Sequence, residues 1–235
     1  MTNKVFTIYN TIKYLKFIQI FYQVWYRIKV KLPIDRFHII VFKKASQLNW
    51  RNSLFNLTNF EDKKTFIFLN IKHTFLNKID WNLSVHGKLW IYNLNYSDFL
   101  NQKEMISETG VDLILDYIKN DSILKDGKEP YPISLRGINW IKFLAENKIC
   151  NTQIDETLNN HYRILFANLE YHLLGNHLLE NAFSLLFGAY YFQDEKLYRK
   201  AKKLLISELN EQILNDGGHF ELSPMYHQII LLRLL

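Results

Sequence analysis

The sequence predicts an all-α chain, an incomplete α/α toroid of helical hairpins preceded by an irregular aromatic-rich region, on three observations. From about residue 105 apolar residues recur every three or four positions; single-face stripes alternate with one segment that is apolar almost all round; and the joins are short and rich in Gly, Pro, Asn and Asp. Helices of this kind pair as hairpins and stack around a shared interior. The chain divides on this reading into residues 1–104, an N-terminal helix and irregular region, and residues 105–235, the toroid portion.

The first thirty residues mix Tyr, Phe, Ile and Trp with Lys4, Lys13, Lys16 and Arg27, without the uninterrupted apolar core of a signal peptide. A cytoplasmic location is expected over a periplasmic one. The apolar stretch between Lys16 and Arg27 is broken by Gln19 and Gln23 and is far shorter than the roughly 20 residues of a spanning helix. It reads as a helix packed on the rest of the protein, with an amphipathic helix on a membrane as the other possibility. Further on, Thr65 to Leu69 suits a short strand, while Trp81, Trp90, Tyr92, Tyr96 and Phe99 punctuate loop-like sequence.

Pro130-Tyr131-Pro132 reads as a rigid turn before a helix capped by Ser134, on which Arg136, Asn139, Trp140 and Phe143 share one partly polar face. A second helix, from about Glu156 to Leu174, carries the stripe Leu158, Tyr162, Leu165, Leu169 and Leu173 and stops at Gly175. The third, His177 to Phe192, is apolar on nearly every side and must be buried between other elements. A fourth runs from Lys196 to about Leu214 and ends at Asn215-Asp216-Gly217-Gly218. A last helix opens near Pro224, and Ile229 to Leu232 still call for partners where the sequence stops, so a fragment is expected, with poor solubility by itself.

A net charge of +6 and a pI near 9.1 suit an acidic partner: uronate-rich glycan, nucleic acid or anionic membrane. Zinc-finger spacing, a dense basic arm and an aromatic RNA-binding signature are all missing, which argues against nucleic acid. The single cysteine, Cys150, excludes an internal disulfide and a thiolate metal cluster. No metal or cofactor is expected. Aromatic residues reach 15%, enough for some rings to line a groove.

Two polar pairs interrupt the apolar pattern at helix starts, Asn176-His177 and Tyr226-His227, fifty positions apart. Helix N-termini facing one cavity would favour an anionic ligand. Singly, each residue has an ordinary structural role: Asn176 as an N-cap, the histidines half-buried, Tyr226 a core tyrosine with its hydroxyl at the rim.

Four ordered blocks then carry a resemblance: LWIYNLNYSDFL (Leu89 to Leu100), PYPISLRGINWIKFL (Pro130 to Leu144), NLEYHLLGNHLLENAFSLLFGAYYF (Asn168 to Phe192) and DGGHFELSPMYH (Asp216 to His227). Together they resemble the heparinase II/III family of polysaccharide lyases. The resemblance implies an α/α toroid followed by a C-terminal antiparallel β-sandwich, for which no sequence is present here, and uronate-containing glycosaminoglycans or alginate-like polymers as substrates. It places the catalytic Asn, His and Tyr on Asn176, His177 and Tyr226, with a further catalytic His or Tyr beyond the last residue of this sequence.

The chemistry that fits is β-elimination. The proton on C5 of a uronate becomes acidic only when the carboxylate is neutralised, a task for donors on Asn176 and His177. Tyr226 then takes one of the two proton-transfer roles. Arg136 is expected to hold a second acidic group while Trp140 packs on a sugar ring, with Asn139 on the same face and Glu221 and His227 as further substrate contacts; a salt bridge and a core Trp are the equal alternative. Glu170, Glu180 and Glu221 are the carboxylates a hydrolase would need. A non-catalytic glycan-binding or capsule-biosynthesis protein is the competing function.

Overall fold

The computed structural model describes residues 6–7, 9–10, 12–29, 45–50, 56–61 and 64–234, so Lys4 and Leu235 lie outside the described residues. Helix α1 (Phe17–Lys29) lies on the loop at 167–173. Its Tyr22 stacks on Tyr171 at 4.5 Å, Gln19 Nε2 donates to the Leu173 carbonyl at 3.1 Å, and Tyr26 Oη donates to the Leu169 carbonyl. It is the packed helix expected, yet none of its residues is buried.

The chain is largely α-helical, with one correction to the all-α class. Strands β1 (Phe60–Glu61), β2 (Thr65–Phe68) and β3 (Ile71–Thr74) form a small antiparallel sheet in the order β1-β2-β3. Leu69 and Asn70, at φ 54° and 61°, make the two-residue turn whose twist matches its strands. The sheet is held by its apolar face: Phe66 and Phe68 are buried, and Phe68 meets Trp90 edge-on at 5.2 Å.

Residues expected to be loop-like form helix α2 (Lys88–Tyr96) and a 3₁₀ turn (Asp98–Asn101). Asn is a poor helix former because its side chain competes for the backbone. Here Asn93 and Asn95 donate to the carbonyls of Leu89 and Ile91 four residues back, both at 2.8 Å, while Trp90, Ile91 and Leu94 are buried on one side. Packing overrides propensity.

Helix α3 (Ser107–Asn120) is followed by α4 (Pro130–Glu146), which begins at Pro130, four residues before the predicted start. Both prolines fall in the first turn, where a missing N–H costs nothing. Ser134 is therefore interior and accepts from Asn181 Nδ2 at 3.1 Å. Helix α5 (Thr152–Ala167) is capped by Asn151, whose side chain accepts from the amides of Gln153 and Ile154. It stops seven residues short of the predicted Leu174, and the freed residues become a loop. Helices α6 (Gly175–Phe192), α7 (Glu195–Gln212) and α8 (Pro224–Leu234) follow as expected within two residues.

Helices α4 and α6 are the inner pair, with 13 of 17 and 12 of 18 residues buried. They run parallel: Tyr131 meets His177, Ser134 meets Asn181, and a Cβ on Gly137 would sit 3.3 Å from Ser184 Oγ. Tyr162 of α5 fills the seam between them, since Cβ atoms at Gly137 and Gly188 would lie 2.8 Å and 2.5 Å from its side chain. Parallel buried helices joined through an outer amphipathic one are consistent with part of an α/α toroid. One apolar cluster extends from Phe66 to Ile230.

The polar face of α4 is spent inside this cluster, which corrects the expected substrate contacts at Arg136, Asn139 and Trp140. Arg136 is fully buried, donates from Nη1 to the carbonyls of Asn95 (3.1 Å) and Gly127 (2.9 Å), and lies 4.7 Å from the Tyr117 ring. Asn139 donates to the Tyr96 carbonyl at 2.9 Å, and Trp140 is enclosed by Tyr117 and His161. These three tie α4 to the 95–127 region, and no sugar can reach them.

His161 is completely buried with Nε2 3.0 Å from Asp121 Oδ1. Burial, reinforced by the charge of Arg136, pulls its pKa down to about 4, so the ring is neutral at pH 7. The unfolded imidazole takes up its proton near 6.5. Stability therefore falls as pH drops from about 6.5 to about 4, by up to about 3 kcal/mol from this residue. His172 and His219, also lowered by burial, act in the same direction. Urea titrations across this window should show a shallower loss in His161→Gln than in the parent; equal slopes would remove His161 from the effect.

Candidate active site

His177 lies beside Tyr131 where α4 and α6 begin. The chain enters α6 through Leu174 and Gly175, both left-handed at φ 61° and 56°; a glycine suits the second position, where a Cβ would also come within 3.9 Å of Glu221 Oε1. Because α6 starts at Gly175, Asn176 lies inside its first turn, and no side-chain cap bond forms at this helix end. Its half-buried amide is thus not used as the N-cap that the sequence allowed.

His177 is the best-held member. Its Nδ1 lies 3.2 Å from Glu170 Oε1, and its ring packs on Tyr131 with centroids 4.6 Å apart. Glu170 is itself fixed in the 167–174 loop: its Oε2 accepts from Asn181 Nδ2 at 2.9 Å and its amide donates to Asn181 Oδ1 at 2.9 Å. Asn181, on α6, therefore locks the carboxylate that orients His177. The His177 side chain remains 38% exposed, so a ligand can reach it.

Tyr226 lies in the first turn of α8. The turn before α8 closes through Leu214 N to Gly218 O (2.8 Å) and Phe220 N to Gln212 O (2.8 Å), burying His219. Its imidazole faces the Tyr226 ring at 6.0 Å and accepts at Nδ1 from the Glu221 amide at 3.4 Å. Arg233 donates to Glu180 Oε1 at 2.8 Å, anchoring α8 to α6 one turn beyond His177. Glu221 and His227 are both exposed, and Glu221 stands beside the start of α6.

Tyr131 is the residue that sequence reasoning missed, having been read as part of a turn. It touches His177, and its hydroxyl is held well above the usual phenol range by burial and then by Glu180, with Glu170 and Tyr226 also in its field. It therefore stays a hydrogen-bond donor at neutral pH. Tyr96, 6.1 Å away, and Tyr92, 6.2 Å further, continue the line of rings along α2. A tyrosine between two prolines at a helix start was the available signal.

Two concave regions lie elsewhere, at the C-terminal ends of α4 and α6. One, of about 440 Å³, is walled by Trp50, Glu146, Lys148, Cys150 and Tyr191, and the other, of about 670 Å³, by Tyr190, Asp194 and Tyr198. Neither is lined by a predicted site residue. Among the described residues no group of three or more His, Cys, Asp or Glu is placed to hold a metal ion.

The family model for the heparinase II/III N-terminus matches residues 137–235, which include Asn176, His177 and Tyr226. A heparin-sulfate lyase from Bacteroides stercoris is 26% identical over 184 residues, covering 64% of this chain and 27% of that protein. The chain thus spans about a quarter of the length of that relative. No solved structure matches it. Over part of its length the chain is a distant homologue of the heparinase II/III N-terminus and of a heparin-sulfate lyase.

Proposed function

We propose that this chain supplies part of the active site of a polysaccharide lyase that cleaves uronate-containing glycans by β-elimination, and that its helices form a segment of an α/α toroid. The observation that carries the reading is His177, held by the buried Glu170, packed against Tyr131 and adjacent to Asn176 at the start of a buried helix. With Nδ1 turned to Glu170, Nε2 is the ring nitrogen left for a ligand. Together with the Asn176 amide and the α6 N-terminus it can neutralise a uronate carboxylate. The C5 proton then leaves to a base, the 4-linked oxygen departs with a proton from an acid, and the sugar is left unsaturated between C4 and C5. Tyr226 takes one of these proton transfers.

Hydrolysis by paired carboxylates fits less well. Glu180 is buried and bonded to Arg233, and Glu170 is buried and bonded to Asn181, so neither flanks an open bond. The test is ultraviolet absorbance of the unsaturated product on a panel of glycosaminoglycans and alginate, run with the 235-residue chain and with a version carrying the C-terminal region that the family resemblance implies. Product is expected once the second proton-transfer residue is present, and none from this chain by itself. Glycan binding that survives Tyr226→Phe, with no unsaturated product before or after, would instead assign a binding role.

A further inference from the structure

The excess positive charge of the chain sits in residues 1–34. Lys4, Lys13, Lys16, Arg27, Lys29 and Lys31 fall there without one Asp or Glu; the 29 basic side chains less these six leave 23, balanced by the 23 acidic ones. Within this segment α1 is two-sided. Gln19, Tyr22, Tyr26 and Lys29 contact the 167–173 loop, whereas Phe17 (82% exposed), Phe21 (51%), Val24 (50%), Trp25 (36%) and Ile28 (46%) face solvent. At 100° per residue these five fall within an arc of about 100°, one continuous apolar stripe. Arg27 lies to one side of it, exposed, and so does Lys16, which is paired with the exposed Glu211. Phe6, Tyr9, Ile12 and Tyr14 add exposed apolar surface just upstream.

We propose that this face docks on an anionic lipid bilayer, with α1 lying in the headgroup plane, its Phe-Val-Trp-Ile stripe at the acyl boundary and its cations against the lipid charges. Charge and shape choose this occupant over the others. A second copy would bring two strongly basic faces together, and an acidic polysaccharide matches the cations but gives nothing to Val24 and Ile28. No described helix is long and apolar enough to cross a membrane, so the contact is interfacial. Since α1 is bonded to the loop carrying Glu170, docking would set the candidate site beside the membrane surface. The proposal stands whether or not the elimination reading holds.

Co-sedimentation with vesicles of equal parts phosphatidylglycerol and phosphatidylcholine tests it. The chain should bind these vesicles, bind pure phosphatidylcholine far less, and release in high salt. Phe21→Asp with Ile28→Asp should weaken binding roughly tenfold or more, and Arg27→Glu by at least about fivefold. All three side chains are exposed, so an unchanged melting temperature is expected and confirms that the fold is kept. A soluble chain that ignores anionic vesicles overturns the proposal, as does binding that the paired Asp substitutions leave unaltered. A dimer in sedimentation velocity that those substitutions dissolve would give the face to a second copy and equally end the membrane reading.

Discussion

Tyr226→Phe is expected to lower the rate of elimination by about 10²–10⁴-fold while leaving the fold intact. The substitution removes one hydroxyl and keeps the ring that faces His219 at 6.0 Å, so melting temperature should move by less than the error of the measurement. Tyr226 is half-buried, and a loss confined to turnover, with glycan binding retained, would mark a proton-transfer role. Asn176→Ala should cost about 10²–10³-fold by removing one donor to the developing charge. Its side chain caps no helix in this structure, so that loss cannot be ascribed to an unravelled α6. Activity of Tyr226→Phe within threefold of the parent, measured as unsaturated product, would remove the residue from the chemistry and leave His177 as the centre of the site.

Much of this arrangement was legible because it rests on short-range rules. Helices α6 to α8 follow from apolar periodicity and from start and stop residues, and the reversal at Asp216-Gly217-Gly218 from its composition, with Gly217 at φ 83° and the Gly218 amide bonded to Asp216 Oδ1. The helix starts near Asn176-His177 and Tyr226-His227 were also readable, because both pairs break an apolar pattern. What stayed hidden depends on neighbours distant in sequence. The spacing of Arg136, Asn139 and Trp140 shows that they share a face, but which surface that face meets is decided by Tyr117 of α3 and the Asn95 carbonyl of α2. Those make it an interior face. The orientation of His177 depends likewise on Glu170 in a loop that periodicity assigned to helix α5, and that loop exists because Asn181 takes the Glu170 amide. Tyr131 was lost with the mistaken helix start.

Arg233→Ala is expected to destabilise the protein by about 3–5 kcal/mol at pH 7, with the lower end favoured. Glu180 is 4% exposed and its pKa is raised by burial, against which the Arg233 guanidinium and then Lys142 work. Removing the arginine leaves a buried carboxylate with Lys142 as its remaining cation among the described residues, itself lowered to about 8 by burial and then by the charge of Arg233. Lys142 gains ammonium character once that charge is gone and softens the loss. The penalty should also depend on pH. A carboxyl raised in the folded state binds its proton there while the unfolded chain has already lost it. Stability from that group is therefore present at low pH and lost as pH rises past the ordinary carboxylate value, and the variant, with its carboxyl raised further, should lie closest to the parent near pH 5 and furthest from it near pH 8. Replacing both partners with apolar residues, Glu180→Leu with Arg233→Met, should recover most of the stability because no charge is left buried. The functional consequence follows from the placement of α8. Apart from this ion pair its buried anchor is Ile230, so Arg233→Ala should loosen the helix, expose the 224–234 segment to proteolysis and misplace Tyr226 two turns upstream. Urea titrations at pH 5 and pH 8 together with limited proteolysis would check this; a loss below 1 kcal/mol at pH 8 would mean that apolar packing alone holds α8 against α6.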